Sequence, residues 1–190
     1  MSEVKKKLAV IVPGMGYHKD KPLLYYAAKL AAAKGYERVW VEFHDLPMFD
    51  KKNPALIQKA GEMTTEQTEE QLAALDFDKY ENVLFIGKSI GTATMAKYIA
   101  DHGITAKQVW YTPVEQTASF GTRDAVAFIG DADPCSDVPS LIKTMEGMGI
   151  SVHSYPDCNH SLECEDVDRN LEILRDVMQK TESYISLEGK

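Results

Sequence analysis

Gly87-Lys88-Ser89-Ile90-Gly91 sets a serine between two glycines, directly after the apolar run Asn82 to Gly87 and directly before a segment of helical periodicity. A tight strand-to-helix turn crowds its central residue, so its neighbours must be small while the serine hydroxyl projects above the sheet. The helix behind it offers unpaired N–H groups and a positive dipole end to an oxyanion forming beside the serine. A serine hydroxyl is a weak nucleophile at neutral pH. It needs an imidazole to take its proton, and the imidazole needs a third group to fix its tautomer and stabilise its positive charge. Both occur downstream in that context. Gly130-Asp131-Ala132-Asp133-Pro134 follows the apolar run Ala125 to Ile129, and Asn159-His160-Ser161-Leu162 follows Ser151 to Tyr155. The residues therefore offer Ser89 as nucleophile, His160 as base and Asp131 or Asp133 as acid, all at carboxyl ends of strand-like runs, where open α/β sheets bind ligands.

The elements that must position them read as βα units. Short runs rich in Val and Ile alternate with helical segments, and buried parallel strands are near-continuous in hydrophobicity. Strands are expected at Leu8 to Val12, Arg38 to Phe43, Asn82 to Gly87, Gln108 to Thr112, Ala125 to Ile129 and Ser151 to Tyr155. Helices are expected from Pro22 to Lys34 with Gly35 as its stop, Thr65 to Leu75, Ile90 to His102, Val138 to Met148 with Asp137 as N-cap, and Asp166 to about Thr181. The segment from His44 to Met63 reads as a loop and mobile flap with one short helix, Pro54 to Ala60. Residues Leu187 to Lys190 are expected to fray. The fold class is α/β, a three-layer α/β/α sandwich with a mostly parallel sheet of about six strands, in one domain spanning 1–190.

This order of strand, serine turn, late acidic residue, histidine loop and final helix resembles the α/β-hydrolase superfamily over nearly the whole chain. In size it is similar to small cap-less esterase-like members, among them the dienelactone-hydrolase-like group. The resemblance implies that the glycine-flanked serine is a nucleophile elbow. It implies a catalytic triad of Ser89, Asp133 and His160, because the family's G-x-x-D pattern falls on Gly130 to Asp133 and favours Asp133 over Asp131. It implies an oxyanion hole made by the backbone N–H of Ile90 and one from Pro13-Gly14-Met15-Gly16-Tyr17, with Met15 as the second donor. The activity implied is that of a serine hydrolase, carboxylesterase- or thioesterase-like, cleaving a small ester or thioester through an acyl-enzyme and using no cofactor. The sequence departs from the pattern in having Ser89 where the dienelactone-hydrolase-like group has cysteine, Pro13 where many members have histidine, and no hairpin before Leu8. A reading of another class is a non-catalytic small-molecule or protein-binding module on the same scaffold, for which Pro13 is the support.

Other residues compete for chemical roles. Tyr17, Lys88 and Tyr111 are candidates for contact with substrate, as is Phe120, although aromatic residues serve equally as packing. His18 and His44 read as solvated loop histidines and His102 as a surface residue at a helix C-terminus. Cys158, His160 and Cys164 lie close together, but no paired C-x-x-C accompanies them, so no metal is expected. Gly87-Lys88-Ser89 lacks the first glycine of a phosphate-binding loop, where Asn82 stands, and Gly14-Met15-Gly16 lacks the third glycine of a dinucleotide fingerprint, where Lys19 stands. A formal charge of -8 disfavours nucleic acid and anionic membrane as partners and leaves a small-molecule acyl substrate. Three cysteines fit reduced thiols. The apolar run after the basic start Met1 to Lys7 is too short for a secretory core, and the expected location is cytoplasmic.

Overall fold

The computed structural model describes residues 6–48, 53–121 and 124–187. The basic start through Lys5 and the expected fraying of residues 188–190 lie outside them. Six strands, β1 (Lys7–Val12), β2 (Tyr36–Trp40), β3 (Asn82–Lys88), β4 (Lys107–Tyr111), β5 (Ala125–Gly130) and β6 (Ser151–Tyr155), form one sheet in the order β2-β1-β3-β4-β5-β6, with every pairing parallel. Five helices cover it, α1 (Pro22–Ala33), α2 (Pro54–Leu72), α3 (Ile90–His102), α4 (Val138–Gly147) and α5 (Val167–Ser186). Side chains alternate across the strands, so each face of the sheet carries its own core. Ala9, Ile11, Leu84 and Ile86 pack with α1 and α5, while Leu8, Val10, Phe85 and Trp110 pack with α3 and α4. Chain order reverses between β1 and β3, which opens a crevice at their carboxyl ends, and Ser89 follows β3 there. No helix among the described residues is long and apolar enough to cross a membrane.

Three expected boundaries shift for identifiable reasons. The strand expected at Arg38 to Phe43 is instead Tyr36–Trp40. It is an edge strand paired with β1, from Lys7 opposite Tyr36 to Ile11 opposite Trp40, so it starts directly after the left-handed turn at Gly35, and its ladder ends one residue before β1 does at Val12. α5 runs to Ser186, past the expected Thr181, because Thr181 and Ile185 continue its buried stripe.

The largest correction is α2. The short helix expected from Pro54 to Ala60, the loop after it and the helix expected from Thr65 are one continuous helix, Pro54–Leu72. Its buried stripe is Ala60, Thr64, Thr68 and Leu72, small and polar enough to hide the amphipathic pattern. Thr65, read from sequence as a helix start, bonds back to the Gly61 carbonyl at 2.8 Å; Thr68 bonds to the Thr64 carbonyl at 2.7 Å. Thr94 of α3 donates to the Thr64 hydroxyl at 2.9 Å, so the threonines form a polar seam between the helices.

The chain entering the expected flap is tied down at Glu42 and His44. Gln71 accepts from the Glu42 N–H at 2.9 Å and donates to its carbonyl at 2.8 Å. Gln67, one turn earlier, does the same for His44, both at 2.9 Å. These two amides replace the strand partner that the segment lost when β1 ended. Replacing Gln67 and Gln71 together by alanine is expected to speed hydrogen exchange at the Glu42 and His44 amides. Exposed bonds of this kind contribute about 1 kcal/mol or less each, so the global unfolding midpoint should change little. Unchanged exchange at both amides would show that something else holds the segment.

Candidate active site

Ser89 caps the N-terminus of α3 with φ 55° and ψ −128°, a conformation that residues with a Cβ rarely adopt. Its N–H donates to the Tyr111 carbonyl at 3.0 Å. Its carbonyl accepts from the Thr92 N–H at 2.8 Å and the Thr92 hydroxyl at 2.6 Å, and that hydroxyl is joined at 2.6 Å to the buried Thr117. The flanking glycines are required sterically. A Cβ at Gly91 would overlap the carbonyl oxygens of Val12 and Pro13, and one at Gly87 would run into the Met95 sulfur.

His160 Nε2 lies 2.7 Å from Ser89 Oγ, and His160 Nδ1 lies 2.6 Å from Asp133 Oδ2. Asp133 is buried, and its second oxygen accepts from the Cys135 N–H at 2.8 Å. Burial pushes its carboxyl up, but the hydrogen bond and charge of His160, the Cys135 N–H and the nearby Lys88 together hold it below the usual carboxylate range. It stays ionised at neutral pH, as a group orienting an imidazolium must. Asp131 is exposed and accepts from the Asp157 N–H at 2.6 Å, so its role is to tie the acid loop to the histidine loop.

The histidine loop is built by short-range polar contacts. Asn159 Oδ1 accepts from the Ser161 N–H at 2.7 Å, and the Asn159 N–H donates to the Glu163 carbonyl at 2.9 Å. α5 clamps both ends of the loop. Arg169 donates to the Pro156 carbonyl at 2.9 Å, and Asn170 bonds the N–H of Cys164 at 2.7 Å and its carbonyl at 2.9 Å. The loop also lies on the acid loop, with the Cys158 carbonyl accepting from the Ala132 N–H at 3.1 Å directly over Gly130. None of Thr92, Thr117, Arg169, Asn170 or Gly130 stands out in the sequence as a site residue. Only Gly130 carried a pattern that could have marked it.

The segment after β1 closes a tight turn, with Gly14 N–H to the Tyr17 carbonyl at 3.1 Å and the reverse bond at 3.2 Å. A Cβ at Gly14 would stand 3.1 Å from the Ser89 Cβ, so this turn rests on the elbow. The N–H groups of Met15 and Ile90 have no hydrogen-bond acceptor among the described residues. Two unused donors beside a serine can receive a developing oxyanion.

Of the expected substrate contacts, Tyr111, Tyr17 and Lys88 are buried and Phe120 is half-buried. Tyr111 is fully buried, packs on Phe128 and shares a 2.7 Å hydrogen bond with Thr181, so it belongs to the core. Tyr17 is buried and accepts from the Leu23 N–H at 3.2 Å. Lys88 is 1 % exposed, with its ammonium 4.9 Å from the Tyr17 ring centroid. His18 and His44 are exposed, and His102 bonds Glu69 at 2.9 Å, as read. Among the described residues, the side chains close enough to share a metal ion are Asp133, Cys135 and His160, with ligand atoms within 4.8 Å of one another. Asp133 and His160 are already engaged with each other there. Cys158 and Cys164 are not in that group.

No family model matches the sequence, and no curated protein does. Solved structures do. A protein of unknown function from Agrobacterium tumefaciens, described as a putative α/β hydrolase, matches with a TM-score of 0.65 at 16% identity, over 97% of this chain and 86% of its own. A lid-less α/β serine hydrolase from Xanthomonas campestris matches with a TM-score of 0.57 at 15% identity, over 100% and 88%. The chain has the α/β-hydrolase fold, in a minimal form without a cap. Within that fold, a dienelactone hydrolase from Anabaena variabilis is also similar, with a TM-score of 0.63 at 14% identity over 96% and 86%.

The packing of the two loops makes Gly130 a test of the site. A Cβ there would overlap the Cys158 carbonyl oxygen and lift the histidine loop. Gly130→Ala is expected to cost about 2 kcal/mol or more of stability by overpacking. It should also weaken the shift of the His160 ring N–H proton toward low field that marks a short bond to Asp133. A proton spectrum unchanged from wild type would show that the loops adjust without moving His160.

Proposed function

We propose that the protein is a serine hydrolase that cleaves a small carboxylic ester or thioester through an acyl-enzyme. The observation that carries this is the unbroken chain of hydrogen bonds from Ser89 Oγ through His160 to the buried Asp133, at 2.7 and 2.6 Å, on a serine held at φ 55°. In this reading Ser89 Oγ attacks the carbonyl carbon as its proton passes to His160 Nε2. Asp133 holds the tautomer with Nδ1–H and stabilises the imidazolium. The carbonyl oxygen becomes an oxyanion facing the N–H groups of Ile90 and Met15. Collapse breaks the bond to the leaving oxygen or sulfur, which takes the proton from His160. Water, deprotonated by the same nitrogen, then releases the acid. Beside the histidine loop a groove of about 320 Å³, lined by Leu23, Leu162 and Leu174 with Glu163 and Asn170, is available to the apolar part of a small substrate. The hydrolases and esterases among proteins of this fold agree with the chemistry.

The binding-module reading rests on Pro13. Pro13 is buried, and its carbonyl packs on Gly91 where the turn meets the elbow, so the residue serves the close approach of the oxyanion turn.

A fluorophosphonate probe is expected to modify Ser89 in the native protein, with the adduct located by mass spectrometry, and to leave folded Ser89→Ala unmodified. Ser89→Ala should leave stability nearly unchanged, because Ser89 is half-buried, its hydroxyl bonds His160 at the edge of the site, and the elbow backbone is held by other contacts. Asp133→Asn is expected to lower turnover of activated esters by about 10³- to 10⁴-fold, as mispositioned imidazoles do. Asp131→Asn should remain within about threefold of wild type, since removing a surface bond perturbs a site weakly. A native protein that resists the probe while folded would refute the proposal.

A further inference from the structure

Among the described residues, the formally charged side chains that are buried are Lys88 and Asp133, and both lie at this site. Asp133 has a role in the proposed reaction and Lys88 has none. Burying an ammonium is expensive unless its charge is used, and a methionine would fill a similar volume at no electrostatic cost. The placement of Lys88 shows what the charge can do. Its stem lies against Gly14, and its ammonium sits 4.9 Å from the ring centroid of Tyr17, the residue that closes the turn carrying Met15. The groups facing it are Asp133 and Cys135 from the loop after β5, Glu163 from the histidine loop, and Tyr17 from the turn. Its cross-strand neighbour on β4 is Tyr111, whose hydroxyl is taken by Thr181.

We propose that Lys88 is a positioning residue for the reaction assigned above. Its buried ammonium, seated on Tyr17 and facing Asp133, holds the Gly14–Tyr17 turn, and with it the Met15 donor, against the elbow. The inference rests on the serine-hydrolase reading. It makes the protonated form of Lys88 the working form. Burial drives the Lys88 ammonium down to about 7, against the pull of Asp133, Cys135 and Glu163 in the other direction. The charge is therefore lost as pH rises through neutrality, and activity should fall on the alkaline side.

The linkage has the opposite sign. A lysine whose value is lower folded than unfolded binds more protons in the unfolded chain between about 7 and the ordinary 10.5, so stability rises with pH across that window. The charged lysine is a cost to the fold below it. A role in catalysis and a role in structure thus predict different results for Lys88→Met.

The test is ester hydrolysis from pH 5.5 to 10 with thermal unfolding over the same range, for wild type, Lys88→Met and Lys88→Arg. Lys88→Met is expected to be as stable as wild type or more so, most clearly at low pH. Its kcat should be about 10- to 100-fold lower with KM nearly unchanged, the size of effect seen when oxyanion stabilisation is impaired, and its alkaline fall should be absent. Lys88→Arg, charged at every pH tested, should recover part of kcat and hold it to higher pH than wild type. Full kcat in Lys88→Met, a wild-type alkaline fall in that variant, or its failure to fold would each overturn the inference while leaving the serine-hydrolase reading intact. Wild-type protein that neither hydrolyses esters nor takes the fluorophosphonate probe would overturn both.

Discussion

A serine with a backbone at φ 55° costs the fold about 1–3 kcal/mol, and the surrounding structure is arranged to hold it there. The constraint acts in three directions. From below, β4 accepts the Ser89 N–H through Tyr111, which pins the end of β3 to its neighbour. From behind, Thr92 and Thr117 secure the Ser89 carbonyl, so the helix cannot relax by unwinding its first turn. From the side, the carbonyls at the end of β1 occupy the space that a Cβ at Gly91 would need. The closeness that forces glycine at position 91 also brings the Gly14–Tyr17 turn against Ser89. Strain at the serine and the seating of that turn are one packing arrangement seen from two sides.

Asp133 and His160 are fixed by a second joint, between the loops after β5 and β6. Gly130 permits the Cys158 carbonyl to lie over the end of β5, and that carbonyl takes the Ala132 N–H. Asp131 then accepts the Asp157 N–H from the opposite side. With the loops joined at both points, the spacing between Asp133 and His160 is set by backbone contacts, and the 2.6 Å bond between their side chains follows from it. Two aspartates two residues apart thus divide the work. The exposed one joins loops, and the buried one faces the imidazole.

The sequence made the strands and the serine turn legible because each is a local pattern: a continuous apolar run, a glycine pair, a helix whose limits Ile90 and His102 are visible in composition. The pairing of Ser89 with His160 was legible only through order along the chain, since the two residues lie 71 positions apart and meet through the sheet. What escaped had weak local contrast. The threonine stripe of α2 looks polar from sequence because its partner in packing is another threonine helix face, and the glutamine amides that hold residues 42–44 have no backbone pattern to betray them. Tyr111 looked like a site residue because it ends a strand at the functional edge, but its side chain points to the face that α5 covers.

The distribution of unusual backbone separates the two edges of the sheet. At the amino edge, where α1, α3 and α4 return the chain to the next strand, left-handed turns fall on Gly35, Gly103 and Gly149, which adopt them without strain. At the carboxyl edge one positive φ falls on Gly16, in the turn after β1, but the others there fall on Asp45, Ser89, Thr112, Asp157 and Leu162, all bearing side chains. Thr112 is a β-branched residue at φ 42° whose hydroxyl is the buried side-chain polar atom left without a hydrogen bond among the described residues. The same edge buries the Lys88 ammonium and the Asp133 carboxylate. A fold selected only for stability would put glycine at the strained positions and an apolar residue at 88. Side chains held at positive φ and buried charge accumulate at the carboxyl edge. That asymmetry is the physical mark of a face whose side chains are constrained by something besides folding, and Ser89 stands in the middle of it.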